Sequence, residues 1–337
     1  MLIKSPPKNG YIRFGIVGCG AITEQTYLPV FRKTKTAQLT CLVDPDDSRT
    51  SALHRGFNLH YSGKNLDAIF DHVDAVIVAV PNHLHYSITK ACFEAGKDVL
   101  CEKPVCTKVA DGEDLVRTAK ERSLVFTMAH VRRFFPAVKK IKEIITTGTL
   151  GALTDFDFRE GTVFSWPTVT GFVFDKEKAG GGVLIDIGVH LLDLLFWWID
   201  DEVASFQYAD DNLGGLEATA EIQMTFRRGI AGRVKLTRLA VLNNFYTFYF
   251  EKGVLSWNPF TPRRIYIRKD NNQTVSMKAE KGTPVRDLLL DFSAAIRDKR
   301  PPFIRGEEAL QALRFIEACY ASRQAISMAW LKGGDSQ

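Results

Sequence analysis

Three ionisable residues sit in the most apolar stretch of this 337-residue chain: Asp186, His190 and Asp193, within the run from Gly180 to Trp198. Their spacing is i, i+4 and i+7, which on a helix puts them on one stripe. Every other residue of the run is glycine or apolar, and a helix that is apolar all round is a buried one. Ionisable groups on its single polar stripe need partners, a ligand or a cleft. A buried histidine satisfied by one aspartate fits the spacing, and so does part of a metal site. No further His/Cys cluster in the chain completes a metal site, so no metal is expected.

A second constellation lies at the N-terminus. Tyr11, Ile12, Phe14, Ile16 and Val17 form a β-prone run that meets Gly18 and Gly20, and a helix-compatible segment follows from Ala21 to Pro29. Strand, glycine turn and helix is the arrangement that holds a dinucleotide. The first glycine allows the turn, the second admits the pyrophosphate, and the helix N-terminus favours its charge. The third small residue of that fingerprint is replaced by Thr23. A second strand, 38–44, ends in Asp44, at the distance expected of a carboxylate that accepts from the adenosine ribose and repels a 2′-phosphate. NAD is therefore expected, with NADP left open by the nearby Arg49.

The elements that must position these residues alternate. Helix 48–54, the strand 74–80, wholly apolar after Asp74, a helix to Gly96, strand 98–101, helix 111–122 and strand 124–129 describe a doubly wound parallel sheet. Ligands in such sheets bind beyond the carboxyl ends of the strands, where Asn82, His85, Glu102 and Lys103 fall. After about residue 130 the rhythm changes. Helix 136–146 is followed by strands of period two, in which Ala220, Ile222, Met224 and Phe226 face one way and Thr219, Glu221, Gln223 and Thr225 the other. Runs 246–251, 264–268 and 274–277 extend this antiparallel sheet with one covered face, and a final helix spans 307–329. The expected organisation is a Rossmann domain, 1–130, and an α+β domain with a large, mainly antiparallel open sheet, 131–337.

Composition narrows the class. The length suits two domains, and 45% hydrophobic with 25% charged residues is ordinary for a soluble globular protein. The net charge of +5 comes from scattered residues without a long basic stripe, so no nucleic-acid partner is expected. The start of the chain has no apolar signal core, and the run 183–199 is interrupted by Asp186, His190 and Asp193, so neither secretion nor a membrane is expected. Six cysteines without a Cys-x-x-Cys pair read as reduced thiols of a cytoplasmic protein.

Taken together, Gly18-Cys-Gly20, Pro81-Asn82 with His85, Ala95-Gly96-Lys97, Glu102-Lys103-Pro104, Arg133-Phe134 with Pro136, and the glycine-rich helix from Asp186 to His190 resemble the glucose-fructose oxidoreductase, inositol dehydrogenase and MocA family of NAD(P)-dependent dehydrogenases. They run in family order to about residue 200; beyond it only the strand rhythm agrees. The resemblance implies cofactor contacts at Gly18, Gly20, Ala21, Ile22, Asp44, Pro81, Asn82, His85, Glu102 and Lys103, and oligomerisation, as a dimer or tetramer, through the open sheet face. It implies that Lys103 contacts the reacting oxygen, that His190 takes the hydroxyl proton as general base, and that Asp186 binds substrate or orients the imidazole. Arg133 and Trp166 join the expected substrate contacts, with Phe164 and Trp166 stacking on a sugar or nucleoside from the aromatic loop 161–174. Imidazole chemistry suits such a base, and an ammonium favours a developing alkoxide.

The expected activity is oxidation of a secondary alcohol of a sugar, polyol or nucleotide sugar. An NAD-sensing regulator without turnover and an NAD-dependent glycosidase are the alternatives on the same scaffold.

Overall fold

The computed structural model describes residues 10–212, 215–269 and 273–326. They form two compact units, and the chain passes between them repeatedly: the first comprises Met1–Phe135, Trp166–Gly180 and Gly282–Arg314, the second Pro136–Ser165, Gly181–Lys281 and Phe315–Gln337.

The first unit is built on a six-stranded, wholly parallel sheet: β1 (Ile12–Val17), β2 (Ala37–Val43), β3 (Tyr61–Gly63), β4 (Ala75–Val78), β5 (Asp98–Cys101) and β6 (Phe126–Met128). Their order is β3-β2-β1-β4-β5-β6, so the winding reverses between β1 and β4, where such sheets bind dinucleotides. All four residues of β4 are fully buried, as a continuous apolar run in a doubly covered sheet demands. The helix after β5 runs Val109–Glu121, and helix Pro284–Asp298, absent from the sequence reading, covers the sheet by setting Phe292 against Phe14 (centroids 6.0 Å).

The second unit holds nine strands: β7 (Leu153–Gly161), β8 (Val203–Asp210), β9 (Thr219–Phe226), β10 (Ala231–Thr237), β11 (Tyr246–Phe250), β12 (Gly253–Trp257), β13 (Arg264–Lys269), β14 (Thr274–Lys278) and β15 (Gln324–Ala325). The order is β14-β13-β12-β11-β7-β10-β9-β8-β15. The sheet is mixed: β7 with β10, and β8 with β15, run parallel, and the other pairs antiparallel. The alternation expected of β9 holds, with Ala220, Ile222, Met224 and Phe226 buried. That face packs against helix Val189–Ile199, whose Trp198 meets Phe248 edge-on at 5.2 Å and Trp257 at 6.1 Å. The segment Lys176–Ile199, helical apart from the bends at Gly180–Gly182, is long and apolar enough to cross a membrane by length and composition. However, 78% of its most apolar window is buried inside the protein, as in the core helix of a globular unit.

The helix expected over 307–329 stops earlier, at Gly306–Ala321. Buried Asp210 supplies the reason: Arg323 Nε donates to its Oδ2 at 2.6 Å and the Ile326 amide to its backbone oxygen at 2.9 Å, drawing the chain into β15 beside β8. Residues 327–329 lie outside the described residues.

Candidate active site

In the first unit the glycine turn leaves β1. The Gly18 amide donates to Val43 O at 2.8 Å, and its φ of +99° is one a side chain rarely adopts. A Cβ there would come within 2.2 Å of Ala79 O, so glycine is required by β4 itself. Around Gly20 a Cβ would meet nothing within 4 Å, leaving the open space that an approaching pyrophosphate needs. Ala21 and Ile22 are part-exposed beside it. Thr23, the departure from the fingerprint, is fully buried, and its hydroxyl donates to Gly18 O at 2.6 Å. The β-branched residue is thus accommodated by a hydrogen bond inside the turn. The next residues, Thr23–Tyr27, wind as a π-helix, a form common at functional sites.

Asp44 stands where the ribose carboxylate is expected. Its Oδ2 accepts from the Cys19 amide at 2.8 Å and its Oδ1 from the Asp46 amide at 2.9 Å, which ties the end of β2 to the glycine turn. Arg49 lies 3.9 Å from Asp44 and 3.3 Å from Asp46. Burial, then the Asp44 charge, push the Cys19 thiol up to about 12, so it is protonated at neutral pH and is no nucleophile.

The next strand ends carry the remaining residues. After β4, Asn82 Nδ2 donates to Ala179 O at 2.8 Å, docking segment 166–180 beside Pro81. His85 is 1% exposed, with Nδ1 2.6 Å from Pro104 O and Nε2 2.9 Å from Val80 O, so its ring is enclosed by backbone and faces no open space. After β5, the Tyr27 hydroxyl donates to Glu102 Oε1 at 2.6 Å, and the Lys103 amide lies 3.3 Å from Glu102 Oε2. Burial raises the Glu102 carboxyl pKa and lifts the Tyr27 phenol well above its ordinary value, so the phenol remains the donor. Lys103 itself is part-exposed, and its bond to Pro104 is cis. Arg133 is 3% exposed and directs Nη1 to Glu308 Oε2 at 2.5 Å, joining a buried guanidinium to a part-exposed carboxylate. Trp166 is 49% exposed.

The second unit carries the glycine-rich helix. A Cβ on Gly181 would lie 2.1 Å from the Tyr320 hydroxyl oxygen and one on Gly182 2.0 Å from Glu217 O, so these glycines admit close packing. Glu217, 1% exposed, accepts from the amides of Gly182 (2.9 Å) and Leu184 (3.0 Å) and from the Tyr320 hydroxyl (2.7 Å). It therefore caps the start of the helix from another part of the chain. Leu184–Gly188 is a second π-helical turn, and Val189–Ile199 continues as α-helix. Asp186 and His190 are part-exposed, whereas Asp193 is buried at 2%. Asp193 lies three residues after His190 in the same regular α-helix, one turn deeper into the core, so of the three only Asp186 and His190 keep part of their surface exposed. Asp186 forms an ion pair with Arg238, whose guanidinium lies over the Phe164 ring at 5.1 Å.

Arg238 and Glu217 are absent from the sequence reading. Arg238 left a signal, since continuing the period of Val234 and Leu236 turns it to the covered face of β10. Glu217 left none.

Comparison with known proteins agrees with this architecture. Residues 12–130 match the model for the Gfo/Idh/MocA oxidoreductase family, NAD-binding Rossmann fold, and residues 138–256 the Gfo/Idh/MocA C-terminal domain. The chain is 29% identical to 1,5-anhydro-D-fructose reductase of Ensifer adhaerens over 89% of this chain and 93% of that protein. Other curated relatives match over about half their length, among them 2,7-anhydro-N-acetylneuraminate hydratase of Mediterraneibacter gnavus, at 30% identity over 50% of this chain and 45% of that protein. In fold it is similar to the aldose-aldose oxidoreductase of Caulobacter crescentus (TM-score 0.85, 23% identity, 93% of this chain and 97% of that one). The chain belongs to the Gfo/Idh/MocA family and is an NAD(P)-dependent oxidoreductase.

Proposed function

We propose that the protein is an NAD-dependent dehydrogenase acting on a secondary alcohol of a sugar, polyol or nucleotide sugar, with His190 as general base and Lys103 polarising the reacting oxygen. The carrying observation is that Asp186 and His190 alone supply ionisable side chains to the part-exposed side of an otherwise apolar helix, with Asp186 anchored by Arg238. Support from relatives is of class: they include a 1,5-anhydro-D-fructose reductase, an NADP+-dependent scyllo-inositol 2-dehydrogenase and a D-glucoside 3-dehydrogenase.

Bound at the glycine turn, NAD supplies the hydride acceptor. Gly18, Gly20, Ala21 and Ile22 would line its pyrophosphate, and the Asp44 carboxylate would meet the ribose and disfavour a 2′-phosphate, especially as Arg49 is engaged by two aspartates. Pro81, Asn82 and Glu102 would border the cofactor at the strand ends. His190 accepts the carbinol proton, and the Lys103 ammonium stabilises the charge that develops on that oxygen. Asp186, fixed by Arg238, orients substrate or imidazole; Trp166 offers an exposed stacking face to a sugar. Arg133, expected as a substrate contact, is 3% exposed and paired with Glu308, so it is assigned no direct contact here. All six cysteines are buried free thiols, which suits a cytoplasmic enzyme. Self-association is assigned to the open face of the second sheet, where Asp157 is held between Arg159 and Arg233.

The test is NADH formation across a panel of polyols, aldoses and nucleotide sugars. Turnover of one of them, reduced about 10²–10⁴-fold in His190→Ala, is expected. Tight NAD binding with no turnover across the panel, or nearly full turnover by Lys103→Ala, would overturn the reading.

A further inference from the structure

The most constrained ring near the strand ends belongs to a residue with no part in the proton chemistry. His85 begins helix His85–Glu94, and its two ring nitrogens meet two backbone carbonyls, Pro104 O at 2.6 Å and Val80 O at 2.9 Å. Those carbonyls come from different crossings of the sheet. Val80 follows β4 and leads into Pro81-Asn82; Pro104 follows β5 and is the residue after Lys103. One rigid, buried ring thus fixes the separation of the two turns.

Lys103 is held on its other side as well. Glu102, the residue before it, accepts from Tyr27, which lies in the π turn of the glycine-fingerprint helix. The backbone that carries the lysine is therefore tied from Glu102 to the cofactor turn and from Pro104 to the end of β4. The ammonium sits at the end of a flexible stem, so its placement depends on how well the backbone beneath it is fixed.

We infer that His85 is a positioning residue for Lys103, holding the Pro104 carbonyl against the end of β4 so that the lysine stands in register with the cofactor turn. The inference rests on the role assigned to Lys103 above. The ring makes no contact with cofactor in this role. Burial drives the imidazole pKa down to about 4, the two carbonyls pulling back up and Lys103 and His83 adding to the fall, so the ring is neutral at pH 7. A neutral imidazole has one N–H; placed on Nδ1 it donates to Pro104 O at the shorter contact, and Nε2 then meets Val80 O as a packing contact that donates nothing.

Two amide substitutions separate the carbonyls. In His85→Asn the side-chain amide replaces Nδ1 and can still donate to Pro104; in His85→Gln it replaces Nε2 and reaches toward Val80. His85→Leu removes both. In the full-length protein, kcat is expected to fall about 100-fold in His85→Leu and His85→Gln, and less than about tenfold in His85→Asn, while Kd for NAD changes less than about threefold throughout. An independent readout is the rate at which an amine-acylating reagent labels Lys103, followed by peptide mass spectrometry against the other lysines. That rate is expected to change in His85→Leu and His85→Gln and to be restored in His85→Asn.

Should His85→Leu not fold, the Asn/Gln pair decides alone. A Kd for NAD raised tenfold with kcat intact would make His85 a cofactor contact and overturn the inference, as would equal kcat and equal Lys103 labelling in the Asn and Gln variants. Absence of turnover in the wild-type protein would defeat the functional reading but not this one, because the labelling order and NAD affinity are read without it.

Discussion

Glu217→Gln exchanges one oxygen of a buried carboxylate for an amide nitrogen and keeps the shape. The carboxylate receives three hydrogen bonds, from Gly182 N, Leu184 N and the Tyr320 hydroxyl, so all its contacts are donors and it only accepts. A glutamine oxygen in the Oε1 position can serve Leu184 and Tyr320. Its NH2 then faces the Gly182 N–H across 2.9 Å, donor against donor. One buried N–H left unsatisfied costs about 1–3 kcal/mol. Losing the anion at the start of the Asp186–His190 helix adds about 0.3–2 kcal/mol. Relief from burying a charge works in the opposite direction, although three donors already stabilise that charge, so the net loss is set at about 2 kcal/mol. That corresponds to a fall of about 4–8 °C in the thermal midpoint of a unit of this size. Calorimetry or urea unfolding measures it, and kcat should fall in parallel, because the freed amides lie two and four residues before Asp186. An unfolding midpoint within about 1 °C of wild type would refute the account of Glu217 as a cap. Glu217→Ala leaves all three donors unmet and should cost more, about 3–5 kcal/mol.

Three further outcomes are expected. Gly20→Ala should fold normally, since its Cβ meets nothing within 4 Å, yet weaken NAD binding at least about tenfold; Gly182→Ala, 2.0 Å from Glu217 O, should lose more than about 3 kcal/mol of stability, and a silent result at either position contradicts the assigned role. Asp44→Ser should weaken NAD about 10–100-fold and shift preference toward NADP, read as the ratio of the two Kd values; an unchanged ratio removes Asp44 from the ribose site. Stability should fall with acidification below pH 6.5. The unfolded His85 ring, with its ordinary value of 6.5, takes up a proton that the buried ring refuses until about pH 4. The His85 contribution is fully present above pH 6.5 and is lost across that interval, about 3 kcal/mol in all. Urea unfolding of wild type and His85→Asn from pH 7 to 4 should therefore converge, and parallel curves would show that His85 does not titrate this way.

Much of the first unit was legible because its signals are local. The apolar run of β4 has one reading in a parallel sheet, and a glycine turn followed by an acid ending the next strand fixes β1 and β2. In the second unit the strands with local signals were legible, β9 by its unbroken period two and β11, β13 and β14 as β-prone runs. Strand β7, Leu-Thr-Asp-Phe-Asp-Phe-Arg-Glu-Gly, alternates too, but it carries charge on the open face, where Asp157 meets Arg159 and Arg233. Its partner β10 pairs with it in parallel register 76 residues on, with Ala231 opposite Asp155, a pairing no local pattern announces. Strand β15 depends on a distant carboxylate in the same way, since Asp210 draws Arg323 and the Ile326 amide to β8.

The site shows the same division between residue type and residue partner. Spacing identified Asp186, His190 and Asp193 together, but it could not tell how deep each sits: Asp193, one turn beyond His190 in the same α-helix, is in the core while the other two stay part-exposed. The first amides of any helix lack partners within the helix and must find acceptors elsewhere. Here the Gly182 and Leu184 amides both go to Glu217, and the Tyr320 hydroxyl completes the same carboxylate. The glycines at 181 and 182 follow from that arrangement, because a Cβ at either would strike Tyr320 or Glu217. The glycine-rich signature before Asp186 and His190 is thus a consequence of one buried acid, Glu217, that pattern alone could not reveal. The first unit repeats the scheme at Thr23–Tyr27, where a π turn brings Tyr27 to Glu102 and sets the backbone beneath Lys103.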